Sequence, residues 1–235
     1  MKSNQPWVSF RPWLMQKRER LMINILCFGD SNTNGSNPSG GRWGRWERWT
    51  GVLQKLLGDD YYVIEEGCGG RTTVMEDWLE PDKNGRAQLP VALRTHRPLD
   101  LVVIMLGTND MKQRFSLLPV DIAYGAAELG KLVEHYDYGG EWYPIPQVLL
   151  VSPIELGEGV ENSVFTGFAP EAVGVSRQLA PYFEAQAKAH GWHYFNASSV
   201  AKPSAKDMLH MEKEDHQALA EALAAKIRGI FEKED

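Results

Sequence analysis

Ser31 stands in the run Gly29-Asp30-Ser31-Asn32-Thr33-Asn34-Gly35, directly behind an apolar β-type stretch. A serine hydroxyl is a weak nucleophile at neutral pH. It attacks a carbonyl only when a base takes its proton and an acceptor holds that base in one tautomer. Among the six histidines, His210 has a carboxylate, Asp207, three residues before it in the irregular stretch 202–211. A turn of that spacing can bring the carboxylate beneath the imidazole and leave the other ring nitrogen for Ser31. The oxygen that becomes negative on attack needs donors aimed at it, and a free backbone N–H beside a side-chain amide supplies them. Gly70, in Gly67-Cys68-Gly69-Gly70-Arg71-Thr72, and Asn109, in Gly107-Thr108-Asn109-Asp110, have the right chemistry.

Taken singly, each segment has a plainer use. Small polar residues after a strand cap helices and turns, and Gly69-Gly70 suits a turn. Asn109 can close an Asx turn, and Asp207 with His210 can form a surface cap. Their common position makes the difference, because it follows from the elements that carry them.

Short apolar runs at 23–28, 61–65, 99–106, 147–152 and 192–195 read as five strands, bounded by Gly, Pro or Asp. Between them, 46–57, 87–97, 119–134, 170–190 and 213–231 repeat apolar residues at spacings of three and four, with Gly58 and Gly191 as stop signals. Strands alternating with helices predict a parallel sheet covered on both faces. With the flavodoxin-like order 2-1-3-4-5, the first strand lies between the second and third, and Ser31 is flanked by the Gly70 and Asn109 loops. All four segments then share the carboxyl edge, where such sheets bind ligands. Pro181 predicts a kink or break in 170–190 unless a helix starts anew there. The segments 137–146 and 154–169, rich in Gly, Pro and aromatic residues without period, are expected as loops over the site.

The 235 residues suit one domain, 22–235, preceded by an N-terminal extension, 1–21, that ends where the first strand begins; Met22 offers an alternative start. A net charge of −6 argues against nucleic acid as a partner. No apolar run approaches the roughly 18 residues of a membrane span. The first residues lack a secretory signal's apolar core and cleavage site. Cys27 and Cys68 are too few for a disulfide framework, so the expected compartment is the reducing cytoplasm.

Rival constellations fare worse. Asp215 and His216 adjoin on a helix and point apart, which favours packing for His216. His190 and His193 have no further ligand cluster nearby, so no metal site is expected. Trp43, Trp46 and Trp49 could wall a substrate pocket, but such spacing favours core packing, above all for Trp49. Glu65 and Glu66 fall on opposite faces of a strand, which favours structural roles.

Together the segments resemble the SGNH hydrolases, the GDSL esterase/lipase family, whose four blocks match Phe28-Gly29-Asp30-Ser31, residues 67–73, Gly107-Thr108-Asn109-Asp110 and Asp207-Met208-Leu209-His210. The runs Val63-Ile64-Glu65-Glu66-Gly67, Arg71-Thr72-Thr73 and Pro98-Leu99-Asp100 are most similar to the bacterial arylesterase and acyltransferase branch. The resemblance implies a three-layer α/β/α sandwich and a catalytic triad of Ser31, His210 and Asp207. It also implies an oxyanion hole from the Ser31 and Gly70 N–H groups and the Asn109 side chain, with Asp30 structural. No cofactor or metal is needed, and self-association into an oligomer is implied. The expected activity is hydrolysis of short-chain aryl esters or O-acetylated carbohydrates. The alternatives are a flavodoxin-like protein whose first loop cradles a phosphate or flavin, and a non-catalytic carbohydrate-binding protein. The sequence departs from the family pattern at Asn32, where Leu is usual. Asn34 and Ser36 stand where acyltransferase members carry aromatic residues, which argues against efficient transfer to alcohols. Met208 stands where Gly is usual.

Overall fold

The computed structural model describes residues 22–140, 143–165 and 167–232; the N-terminal extension proposed for 1–21 lies outside them. Five parallel strands form one sheet: β1 (Ile23–Gly29), β2 (Tyr61–Gly67), β3 (Leu101–Met105), β4 (Gln147–Ser152) and β5 (His193–Asn196). The alternating pattern predicts the parallel sheet, and its order is the flavodoxin-like 2-1-3-4-5 on which the convergence of the loops depends. The registers bring Gly29 opposite both Gly67 and Met105, so the first three strands end level at one edge.

Both faces are covered because side chains on a strand alternate. Leu26 and Phe28 of β1 enter one core with Val102, Ile104, Val148 and Leu150. Ile25 and Cys27 enter the other, with Val103, Leu149 and Val151. The first core is closed by α3 (Gly85–His96), α4 (Pro119–His135), α5 (Glu171–Ser176) and α6 (Leu179–His190). The second is closed by α2 (Trp49–Leu57) and α7 (Lys213–Phe231). The remaining helix, α1 (Ser31–Asn34), is a single turn at the end of β1.

Local signals explain most boundaries. Gly58 caps α2, and Gly191 caps α6 in the left-handed conformation. The pattern over 170–190 divides: α5 ends at Ser176, α6 begins at Leu179, and Pro181 falls in its first turn, where a missing N–H costs no hydrogen bond. Pro90 sits inside α3, a feature the periodicity does not signal. Trp49 is buried in the second core, whereas Trp43 is half-buried and Trp46 exposed. Glu65 forms an ion pair with Arg48 at 2.6 Å and Glu66 a hydrogen bond with His96 at 3.0 Å, two structural contacts to separate segments. Among the described residues no helix is long and apolar enough to cross a membrane.

One expectation is corrected. The described parts of 137–146, residues 137–140 and 143–146, do not lie over the carboxyl edge. The Tyr138 carbonyl accepts from Arg97 at 2.9 Å and the Tyr143 ring faces the Arg97 guanidinium, so these parts sit at the amino ends of β3 and β4. The chain order requires this, since a loop that follows a helix and enters a parallel strand arrives at the strand's amino end.

Candidate active site

At the carboxyl edge, a cavity of about 300 Å³ is lined by residues from all four polar segments singled out in the sequence: Ser31, Gly69, Gly70, Asn109 and His210. Ser36, Glu80, Lys112, Val164, Phe165, Phe168 and Leu209 complete its wall.

Ser31 opens α1. Asp30 caps this turn, its carboxylate accepting from Asn32 N–H at 2.9 Å, and Gly35 ends it at φ 83°. The turn fits closely against the sheet: a side chain at Gly29 would run into Thr33 Oγ1, and one at Gly67 into the Asn34 backbone. Burial pushes the Asp30 carboxyl above its usual range, opposed chiefly by the Asn32 N–H. Ser31 Oγ makes no hydrogen bond to a protein atom among the described residues and faces the cavity with His210.

The Gly70 loop is anchored from below by Arg71. Its buried guanidinium donates to the Gly29 carbonyl at 2.9 Å, to the Glu66 carbonyl and to Gln88 at 2.7 Å, and packs over the Phe28 ring at 4.0 Å. Gly70 adopts φ 81°, a left-handed conformation that favours glycine. Neither its N–H nor that of Ser31 donates to a backbone acceptor among the described residues. The Arg71 carbonyl accepts from Asn109 Nδ2 at 3.1 Å, which fixes the amide and leaves its second proton for the cavity. Next to it, Asp110 accepts from Thr73 N–H at 3.0 Å and from Thr73 Oγ1 at 2.5 Å. Burial pushes the Asp110 carboxyl up to about 6 against these bonds.

The histidine side of the cavity comes from the loop between β5 and α7. His210 Nδ1 lies 2.7 Å from Asp207 Oδ2, and both residues are 2% exposed. Asp207 Oδ1 also accepts from Leu209 N–H at 3.0 Å and His210 N–H at 2.9 Å. Burial opposes ionisation of Asp207, but these bonds outweigh it and hold its carboxyl below the usual range. An ionised Asp207 requires the proton on Nδ1, so a neutral ring presents a bare Nε2. Met208 takes φ 58°, the left-handed backbone a glycine would adopt without strain. Its N–H donates to the Ser204 carbonyl and its carbonyl accepts from Gly157, both at 2.8 Å. The loop geometry therefore survives the loss of glycine, at a cost of about 1 kcal/mol.

Of the two segments expected over the site, 154–169 is there. Phe165 meets the His210 ring edge-on at 4.7 Å and lines the cavity with Val164 and Phe168. Opposite them, Glu80 accepts from Lys112 at 2.7 Å and Arg114 at 2.6 Å, leaving a polar rim. Sequence reasoning did not find Arg71's anchoring role, the Asp110–Thr73 tie or the Glu80–Lys112 pair; the first two lie inside recognised blocks, whereas the third has no local signal. His216 is a buried packing residue whose Nδ1 accepts from Trp49 N–H, and burial pushes its pKa down to about 3. His190 stacks on Trp192, remote from the cavity. Trp43, Trp46 and Trp49 are not cavity residues.

A three-layer fold of this strand order, with a serine and a carboxylate-backed histidine facing one cavity, has the architecture of an acyl hydrolase. The chain belongs to the GDSL-like Lipase/Acylhydrolase family, whose model matches residues 27–218. It is similar to the aryl esterase of M. smegmatis, with 38% identity and TM-score 0.82 over 89% of this chain and 100% of that one. It is also similar to Est24, a carbohydrate acetylesterase from Sinorhizobium meliloti, with 36% identity and TM-score 0.83 over 89% and 100% of the two chains. A putative arylesterase from Agrobacterium tumefaciens has 38% identity and TM-score 0.82 over the same shares. No curated protein sequence matches.

Proposed function

We propose that the protein is a serine esterase that hydrolyses short-chain acyl esters through an acyl-enzyme. The observation that carries this reading is the meeting of Ser31, Gly70, Asn109 and a carboxylate-backed His210 at one cavity. His210 Nε2 takes the Ser31 proton as Oγ attacks the ester carbonyl. The oxyanion accepts from the Ser31 and Gly70 N–H groups and from Asn109 Nδ2. His210 then protonates the departing alcohol, and water, deprotonated by the same ring, releases the acid and restores Ser31. Asp207 fixes the tautomer throughout.

The cavity is small, at the low end of the roughly 300–1,000 Å³ of ligand pockets, which suits a short acyl group. Its rim is apolar at Phe165 and Phe168 and polar at Glu80 and Lys112. Aryl esters and O-acetylated carbohydrates are both compatible, and the named neighbours act on esters of these kinds. Phosphate or flavin binding would leave the Asp207–His210 pair without a purpose, and a non-catalytic module would not need it. An ester panel run on native and Ser31→Ala protein side by side tests the assignment. Loss of p-nitrophenyl acetate turnover by at least about a thousandfold is expected; native-rate turnover by the variant would refute it. Self-association, implied by the family, is checked by light scattering on the full chain.

A further inference from the structure

The Asp207–His210 pair is self-contained. Asp207 binds the ring and two backbone N–H groups of its own loop, so the dyad persists wherever that loop goes. Nothing within the loop sets its distance from Ser31. That distance depends on contacts between segments far apart in the chain, and the side chain next to Ser31 makes two of them, one on each side of His210. Asn32, 2% exposed, donates from Nδ2 to the Leu209 carbonyl at 3.2 Å and accepts at Oδ1 from Met211 N–H at 3.1 Å. These partners are the two residues flanking His210. The Asn32 backbone N–H is itself held by the Asp30 cap, so the amide is fixed at its own end as well. Trp43 adds a third tie, donating from Nε1 to the Met211 carbonyl at 3.2 Å, while its own N–H donates to the Gly35 carbonyl at 2.8 Å.

We propose that Asn32 is a positioning residue that clamps the His210 loop to the nucleophile turn and sets the reach of the base to Ser31. The proposal rests on the assignment of Ser31 and His210 as nucleophile and base. Only an amide suits both bonds at this position. A leucine can make neither, and an ionised aspartate would accept from Met211 N–H but set a carboxylate oxygen against the Leu209 carbonyl. Misplacing a reacting pair by about 1 Å can cost on the order of a hundredfold in rate, while substrate binding elsewhere in the pocket is untouched. The clamp therefore belongs to kcat rather than KM.

The test compares native, Asn32→Leu, Asn32→Asp and Ser31→Ala proteins on p-nitrophenyl acetate. Thermal melting reports the fold, and proton NMR follows the Nδ1–H of the Asp207–His210 hydrogen bond. In folded Asn32→Leu, kcat should fall about 10- to 100-fold with KM within about threefold. The Nδ1–H signal should persist, because the dyad moves as a unit. Asn32→Asp, which keeps the bond from Met211 N–H but opposes the Leu209 carbonyl, should also lower kcat at least about 10-fold with KM little changed, and it decides the matter alone if Asn32→Leu does not fold. Native kcat in either folded variant, beside an inactive Ser31→Ala, overturns the clamp and leaves the esterase reading standing. Loss of the Nδ1–H signal together with kcat also overturns it, since Asn32 would then maintain the dyad rather than place it. Full turnover by Ser31→Ala would overturn the esterase reading and the clamp with it.

Discussion

The two sides of the pocket are built differently. The side proposed to receive the oxyanion comes from loops that leave three adjacent strands ending level, and it is cross-braced by Arg71, by the bond from Asn109 to the Arg71 carbonyl, and by Asp110 with Thr73. The side carrying the proposed base, His210, hangs from a loop beyond the edge strand β5 and meets the Ser31 turn and the segment after it through the Asn32 and Trp43 bonds. Donors that stabilise developing charge must be in place beforehand, because reorganisation at the moment of reaction cancels their benefit. A base has to reach both Ser31 and the departing alcohol, so a stiff unit on a few ties is sufficient there. The first side should therefore respond to mutation through both stability and rate, the second mainly through rate.

That contrast can be broken or sharpened. The largest effect is expected on the base side: Asp207→Asn should lower kcat by about 10³–10⁴ by releasing the tautomer, with a small change in melting temperature, measured by steady-state kinetics and calorimetry. On the opposite side, Asn109→Ala should cost about a hundredfold or more in kcat, on the order of 3 kcal/mol of transition-state stabilisation, seen in the same assay. A native rate in that variant would remove the amide from the oxyanion hole.

Asp110 gives the bracing a pH signature. Burial pushes its carboxyl from the ordinary 3.8 up to about 6, so between these values the native state holds more protons and stability falls as pH rises. The shift corresponds to a loss on the order of 3 kcal/mol, complete above about pH 6. Asp110→Asn should flatten this part of the melting temperature against pH curve, and an unchanged slope would mean another group supplies it. The smallest effect is expected for Trp43→Phe, which removes one neutral hydrogen bond worth about 1 kcal/mol and should slow turnover only a few-fold.

Much of this was legible from residue types and spacing. The five strands and the placement of Ser31, Gly70, Asn109 and His210 at the carboxyl edge follow from alternating periodicities and from the Gly-rich and polar runs after strands, whereas the order 2-1-3-4-5 enters as a flavodoxin-like condition that the structure meets. The loop 154–169 was found over the site because it follows β4. The loop 137–146 was misplaced because its composition resembles a site loop, whereas its direction of entry into β4 decides its location. Composition does not encode direction. Pro90 within α3 went unseen because periodicity registers apolar faces and not a single missing N–H.

The sequence by itself determined which elements form and which edge of the sheet carries the polar loops, since both depend on neighbours a few residues apart and on general handedness. Only the tertiary structure decided what holds those loops in register. The bond from Met211 to Asn32 joins residues 179 positions apart, and that from Asn109 to Arg71 joins residues 38 apart. Asn32 reads in the sequence as a departure from a family pattern. Folded, it is a buried amide with both polar atoms engaged between the Ser31 turn and the His210 loop, because a buried amide must find partners and the flanks of His210 supply them.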